Sequence, residues 1–257
     1  MSWPPGRRGT WVIDLDGVVW LSGQAIEGVP EALARLRGAG CRPLFVTNNA
    51  GLTVAEILER LAHIGVEARS EDLVTSAEAA ATLLEPGGTV LPVAQGGALE
   101  ALTGRGLTLV DEAPAGAVVV GYTRQFDYDR LARAATAVRG GARLIGTNED
   151  ATYPTPEGLL PGAGSLLIAV ATASGAEPEV AGKPYPPMVA LVGERADDVV
   201  VVVGDRPSTD GLFARRLGVP YALVLSGVTK PSDPPPDPVP DITAPDLAHL
   251  VADYLGG

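Results

Sequence analysis

The stretch WVIDLDGVVW, Trp11 to Trp20, sets two carboxylates, Asp14 and Asp16, directly behind an apolar run and directly before a glycine. In an extended strand, positions i and i+2 share a face, so a strand continuing through this stretch would hold two like charges side by side. Like charges in that position repel unless a cation stands among them. The other end of the chain repeats the pattern: the valines 199–203 run straight into Gly204-Asp205-Arg206-Pro207-Ser208-Thr209-Asp210. Apolar, β-rich runs of this kind alternate with helical patterns almost throughout the chain, which predicts βαβ units around a parallel sheet.

Strands are expected near 11–15, 43–47, 89–93, 117–121, 142–146, 199–203 and 221–225. Apolar residues three or four apart predict helices near 29–38, 53–63, 76–84, 127–138, 164–173, 184–193 and 209–216. The low-complexity segment PSDPPPDPVPD, 231–241, reads as a stiff loop before a last strand at 241–243 and a helix at 245–254. Glycine-rich joints at 85–89 and 157–164 bracket a block with its own βαβ pattern, a candidate for an inserted second domain.

The 257 residues suffice for one large α/β domain or two moderate ones, and no apolar run approaches the length of a membrane span. A net charge of −12 argues against a surface built to neutralise nucleic-acid phosphates, so an anionic ligand must be attracted locally. The start, MSWPPGRRGT, shows two arginines with no apolar run behind them, and the single Cys41 has no internal disulfide partner. Both features fit a cytoplasmic location. Among 19 basic residues only Lys183 and Lys230 are lysines. Where Arg serves as the general cation, Lys183 in Gly182-Lys183-Pro184 suggests a need for a compact ammonium, while Lys230 reads as a solvated surface charge.

Functional groups of parallel sheets gather at the carboxyl ends of strands. Asp14 and Asp16, Thr47-Asn48-Asn49 after PLFV, and Asp205 to Asp210 after the valines all occupy such positions, and Lys183 opens a helix. Any one of these stretches could be a plain turn or cap. Together they offer carboxylates, a hydroxyl, amides and one ammonium, the equipment for Mg²⁺-assisted phosphoryl transfer through an aspartyl-phosphate. A second reading uses the same parts, a receiver-like module that keeps a phosphorylated aspartate without turnover; a third, a dinucleotide-dependent oxidoreductase on a similar sheet, would require cofactor binding.

Several chemistries are excluded. A calcium loop would need Asp or Asn, Gly and Glu where Val18, Val19 and Ala25 stand. Pro161-Gly162-Ala163-Gly164-Ser165 lacks the third glycine of a dinucleotide loop and reads as a turn with a helix cap. His63 and His249 stand singly in amphipathic helices, and neither a P-loop nor a nucleophile elbow is present.

Taken in order, Asp14-Leu15-Asp16-Gly17-Val18, EGVPEALARLRGAG, FVTNNAGLT, GTNEDATYPTPEGLLPGAGS, GKPYPPM, GDRPSTD and LVLSGVT resemble the class IIA branch of the haloacid dehalogenase (HAD) superfamily of phosphatases. That branch includes NagD-like, 4-nitrophenyl-phosphatase, phosphoglycolate-phosphatase and pyridoxal-phosphatase proteins. The resemblance implies a Rossmann-like α/β core with a parallel sheet, formed by residues 1–80 and 166–257, and an inserted α/β cap domain at 81–165. It makes Asp14 the nucleophile and Asp16 the acid and base, with Thr47 and Asn48 on phosphate oxygens and Lys183 neutralising the transferring group. Asp14, Asp205 and the main-chain carbonyl of Asp16 would bind Mg²⁺, with Asp210 supporting the metal's water shell or Lys183. It further implies a small phosphorylated metabolite as substrate, chosen by the cap, and a homodimer formed through the cap, with no nucleic-acid or membrane partner. Two departures stand out: Ala50-Gly51 follows Thr-Asn-Asn where relatives often carry a hydroxyl, and Pro92 lies in the cap's first expected strand, suggesting an edge or a distortion there.

Overall fold

The computed structural model describes residues 6–21, 23–155 and 158–256. Residues 1–5 of the N-terminal reading, Pro156 of the quoted GTNEDATYPTPEGLLPGAGS and Glu157 of the second glycine-rich joint lie outside the described residues. The chain begins with β1 (Thr10–Ile13), a short hairpin of β2 (Trp20–Leu21) and β3 (Gln24–Ala25), α1 (Val29–Gly38), β4 (Arg42–Thr47), α2 (Val54–His63), β5 (Leu73–Thr75) and α3 (Ser76–Thr82). Next come β6 (Thr89–Val93), α4 (Gly97–Gly104), β7 (Thr108–Leu109), β8 (Ala117–Val120), α5 (Tyr128–Arg139) and β9 (Arg143–Gly146). A hairpin of β10 (Thr152–Thr155) and β11 (Gly158–Pro161) then leads to α6 (Ala163–Ser174), β12 (Glu179–Val180) and α7 (Pro186–Arg195). The chain closes with β13 (Val199–Gly204), α8 (Leu212–Leu217), β14 (Tyr221–Val224), β15 (Ile242–Ala244) and α9 (Leu247–Leu255).

Two compact units result. The first holds residues 1–47, 55–74 and 189–257, and the second holds 48–54 and 75–188. The first is organised by a six-stranded sheet in the order β15-β14-β13-β1-β4-β5. β1 pairs in parallel with both β4 and β13, β13 with β14, and β14 with β15. From β1 the chain moves to β4 on one side and later to β13 on the other, so the order reverses at β1. A crevice opens beside the carboxyl end of the strand at such a switch point. Strands covered on both faces read as continuous apolar runs. Every residue of β1 is buried, as are five of the six in β4 and in β13, and each fully buried valine contributes about 1.5–3 kcal/mol. The proline-rich run is a loop, as its composition predicts, and leads into β15.

The second unit is built on a five-stranded, wholly parallel sheet in the order β12-β9-β8-β6-β7. Helices α5 and α6 pack on it over a core that includes Val93, Val118, Val120, Leu144 and Leu167. Because α6 belongs to this core and β12 pairs with β9, the unit that contains 81–165 runs on past that span to Met188. Strand β6 lies inside the sheet rather than at its edge. Val90 accepts from Val110 N–H on the β7 side, so Pro92, two residues on, turns its missing donor to the same side. There β7 pairs only with Thr89 and Val90 and has already ended, so the proline leaves no rung unfilled.

Helix α4, strands β5, β7 and β12, and both hairpins are too short or too weakly patterned to be read from periodicity. The described part of the joint expected at 157–164 begins as the second strand of the β10–β11 hairpin, Gly158–Pro161, followed by Gly162, which caps α6. Helix α8 starts later than expected because a wider, π-type turn occupies Pro207–Gly211. Both histidines are exposed and Cys41 is a buried free thiol. Among the described residues, no helix is long and apolar enough to cross a membrane.

Candidate active site

In the first unit the switch point carries the acidic residues. Strand β1 ends at Ile13, and Asp14 follows with its N–H donating to the Val203 carbonyl of β13 at 2.9 Å. The chain then folds back instead of continuing as a strand: the Leu15 carbonyl accepts from Val18, Val19 and Trp20. Asp14 and Asp16 therefore do not share a strand face. The Asp16 carboxylate accepts from the Trp20 indole N–H at 2.9 Å. The carboxylates that converge are Asp14, Asp205 and Asp210, with one oxygen of each within 4.8 Å of the others. They are 9%, 3% and 1% exposed, so solvent does little to screen their repulsion.

Glycines make this packing possible. Gly17 has φ +87°, and a Cβ there would overlap the Asp205 carboxylate; so would one on Gly227. A Cβ on Gly204 would overlap Asp210 in the same way. The Asp205 carboxylate accepts from Val228 N–H, and the Ser226 hydroxyl donates to the Gly17 carbonyl at 2.7 Å. Lys230 is exposed, as expected, yet its ammonium donates to the Gly227 carbonyl and steadies the same loop. The turn at 207–211 brings Asp210 back so that its carboxylate accepts from Arg206 N–H at 3.2 Å. Tyr221 of β14 registers the field: burial first, then the charges of Asp210, Asp205 and Asp14, push its phenol far above its ordinary value. Thr47 ends β4, next to β1 in the sheet, and is 1% exposed.

Of the other expected residues, Asn48 and Lys183 belong to the second unit, where Lys183 is buried just before α7. One side chain joins them: Asn48 Oδ1 accepts from Lys183 N–H at 2.8 Å, and its Nδ2 donates to the Lys183 carbonyl at 3.2 Å. Sequence reasoning assigned no role to Trp20, Tyr221 or Ser226. Ser226 lies within the quoted LVLSGVT, but a hydroxyl in a loop gives no sign of a partner some 200 positions away along the chain.

An all-oxygen, buried, triply acidic cluster fits a hard divalent cation and no soft one. Comparison with known proteins agrees. Residues 11–108 match the model of a haloacid dehalogenase-like hydrolase, and residues 180–250 match that of an HAD-hydrolase-like segment. The chain is 41% identical over 230 residues to a D-glycerol 3-phosphate phosphatase of Mycobacterium tuberculosis, a match covering 86% of this chain and 64% of that protein. The chain thus spans somewhat less than two thirds of that relative's length. It is 34% identical over 225 residues to an acid sugar phosphatase of Staphylococcus saprophyticus, covering 85% of this chain and 87% of the relative. Among solved structures, a glycerol phosphate phosphatase from Mycobacterium tuberculosis in complex with magnesium superimposes with a TM-score of 0.86 at 38% identity, over 95% of this chain and 76% of that one. The chain belongs to the haloacid dehalogenase-like hydrolases.

Proposed function

We propose that the protein is a Mg²⁺-dependent phosphatase that hydrolyses small phosphomonoesters through an aspartyl-phosphate on Asp14. The observation that carries this reading is the convergence of Asp14, Asp205 and Asp210, all buried, at the switch point of a parallel sheet. Asp14, Asp205 and the Asp16 main-chain carbonyl would hold the ion, with Asp210 supporting its water shell or Lys183. Bound there, Mg²⁺ neutralises charge on the phosphoryl oxygens.

The protein's own groups then divide the work. An Asp14 carboxylate oxygen attacks phosphorus as the ester P–O bond breaks, and Asp16 gives its proton to the departing alkoxide. In the second half Asp16 takes a proton from the water that releases phosphate from Asp14. Its bond from Trp20 holds the Asp16 carboxyl in one orientation for both transfers. The Thr47 hydroxyl and the Asn48 main-chain N–H hold phosphate oxygens, and Lys183 offsets the charge that develops.

The names of the relatives put glycerol phosphate and sugar phosphates first among the candidate substrates. The inserted segment at 81–165, continued by α6 and β12, is the part we assign to reading the leaving group, and a homodimer through it and a cytoplasmic site of action complete the proposal. A phosphoacceptor without turnover is not favoured, since the relatives are named phosphatases. The test is inorganic phosphate release from a panel of phosphorylated metabolites, with Mg²⁺ and with chelator. Metal-dependent release is expected. A broad panel without turnover in Mg²⁺ would overturn the reading.

A further inference from the structure

The Asn48 side chain makes three hydrogen bonds, and two of them go to the main chain of one residue. Oδ1 accepts from Lys183 N–H, while Nδ2 donates to the Lys183 carbonyl and, at 3.2 Å, to Asp150 Oδ2. A carboxamide has two N–H donors, so this one has none left for a phosphate oxygen. Asn48 is held just as closely: its carbonyl accepts from the Ser76 hydroxyl and from Asn148 Nδ2, each at 2.7 Å. Ser76 is fully buried at the start of α3, and Asn148, 5% exposed, stands just past β9. On the other side, Gly182 N–H donates to the Thr147 carbonyl at 2.9 Å. A Cβ on Gly182 would overlap both that carbonyl and Asn48 Oδ1.

We propose that Asn48 is a positioning residue whose carboxamide clasps the N–H and C=O of Lys183 and so sets where the Lys183 ammonium stands, with Ser76 and Asn148 holding Asn48 in turn. The assignment rests on the phosphatase reading, in which Lys183 neutralises the transferring group. Lysine's charge sits at the end of a flexible four-carbon stem, and a charge that must meet a forming transition state loses much of its value when its base can shift. Fixing both main-chain polar groups of Lys183 anchors the base of that stem. The clasp explains why an amide follows Thr47 without requiring that amide to touch substrate.

A double-mutant cycle tests this in the full-length protein with saturating Mg²⁺ and 4-nitrophenyl phosphate as the probe, reading kcat and KM separately. Lys183→Ala is expected to lower kcat by about 10²–10³-fold. Asn48→Ala is expected to lower it by about 10–10²-fold, as a misplaced catalytic group does. The double variant should fall no further than Lys183→Ala alone, because the Asn48 side chain acts only through Lys183, and its main-chain N–H is kept in Asn48→Ala. Losses that multiply would overturn the assignment, since an Asn48 that touched phosphate, or merely kept the protein folded, would still weaken the Lys183→Ala enzyme. If thermal melting shows Asn48→Ala unfolded, Ser76→Ala, which removes one of the two bonds that hold the Asn48 carbonyl, runs the same cycle with the same expectation. An inactive wild type, or full activity in Asp14→Asn, would overturn the phosphatase reading and this assignment together. Multiplying losses in an active wild type would overturn this assignment alone.

Discussion

The two parallel sheets share a construction and differ in what stands at their carboxyl ends. In the first unit the ends of β1 and β13 lead into Asp14, Asp205 and Asp210, which are the buried carboxylates among the described residues. In the second unit the residues just past β8 and β9 include Thr123, Thr147 and Asn148, buried but neutral, and the buried ammonium is that of Lys183. Neutral groups withdrawn from water need only hydrogen bonds, whereas three buried carboxylates also need a cation. The architecture thus supplies places, and the side chains at those places decide the chemistry.

The sharpest way to break this comparison is Asp14→Asn, which keeps the shape and removes the proposed nucleophile. We expect kcat to fall by at least about 10³-fold with the fold retained, measured by phosphate release and thermal melting. Next comes the cation's part in stability. At 100 times its dissociation constant, Mg²⁺ should stabilise the wild type by about 2.7 kcal/mol. Asp205→Asn should lose most of that gain, yet in chelator melt no lower than the wild type, because one of the three repelling charges is gone. A calorimetric melt that still showed the full Mg²⁺ shift would remove Asp205 from the ion.

A pair of threonines then compares the two sheets directly. Thr47→Val should cost about 10²-fold in kcat if its hydroxyl is the donor to the phosphoryl group that we propose. The buried Thr147 hydroxyl has no hydrogen-bond partner. Thr147→Val should therefore leave stability unchanged or raise it by up to about 1 kcal/mol in denaturant unfolding. The smallest effect lies at the surface, at the start of α9. The hydrogen bond to Asp246 first, and that residue's charge next, raise His249 above its ordinary 6.5. A raised value in the folded state means that the pair's contribution is fully present below pH 6.5 and fades as pH rises through the higher value. An imidazole NMR titration should show the raised value in the wild type and its loss in Asp246→Ser.

Much of this was legible along the chain. The run of valines before Asp205 and the apolar run before Asp14 announce strands covered on both faces, because such strands have no polar side to alternate with. The order of the motifs announces the family. What periodicity missed is short: β7 and β12 have two residues each, and α4 begins with Gly97 where no apolar stripe starts. The shared face expected of Asp14 and Asp16 failed for a local reason, since the chain turns at Leu15 and Trp20 draws the Asp16 carboxylate to itself.

By itself, the sequence determined the parallel α/β class and the residue types that phosphoryl chemistry requires. These follow from near-neighbour rules of spacing, alternation and turn propensity. Tertiary structure alone decided that Asp210 joins Asp14 and Asp205, that Gly17 and Gly227 must leave room for the Asp205 carboxylate, and that Asn48 holds the main chain of Lys183. Each of these joins residues far apart in the chain, and hydrogen bonds and steric fit at that separation exist only once the strands are side by side.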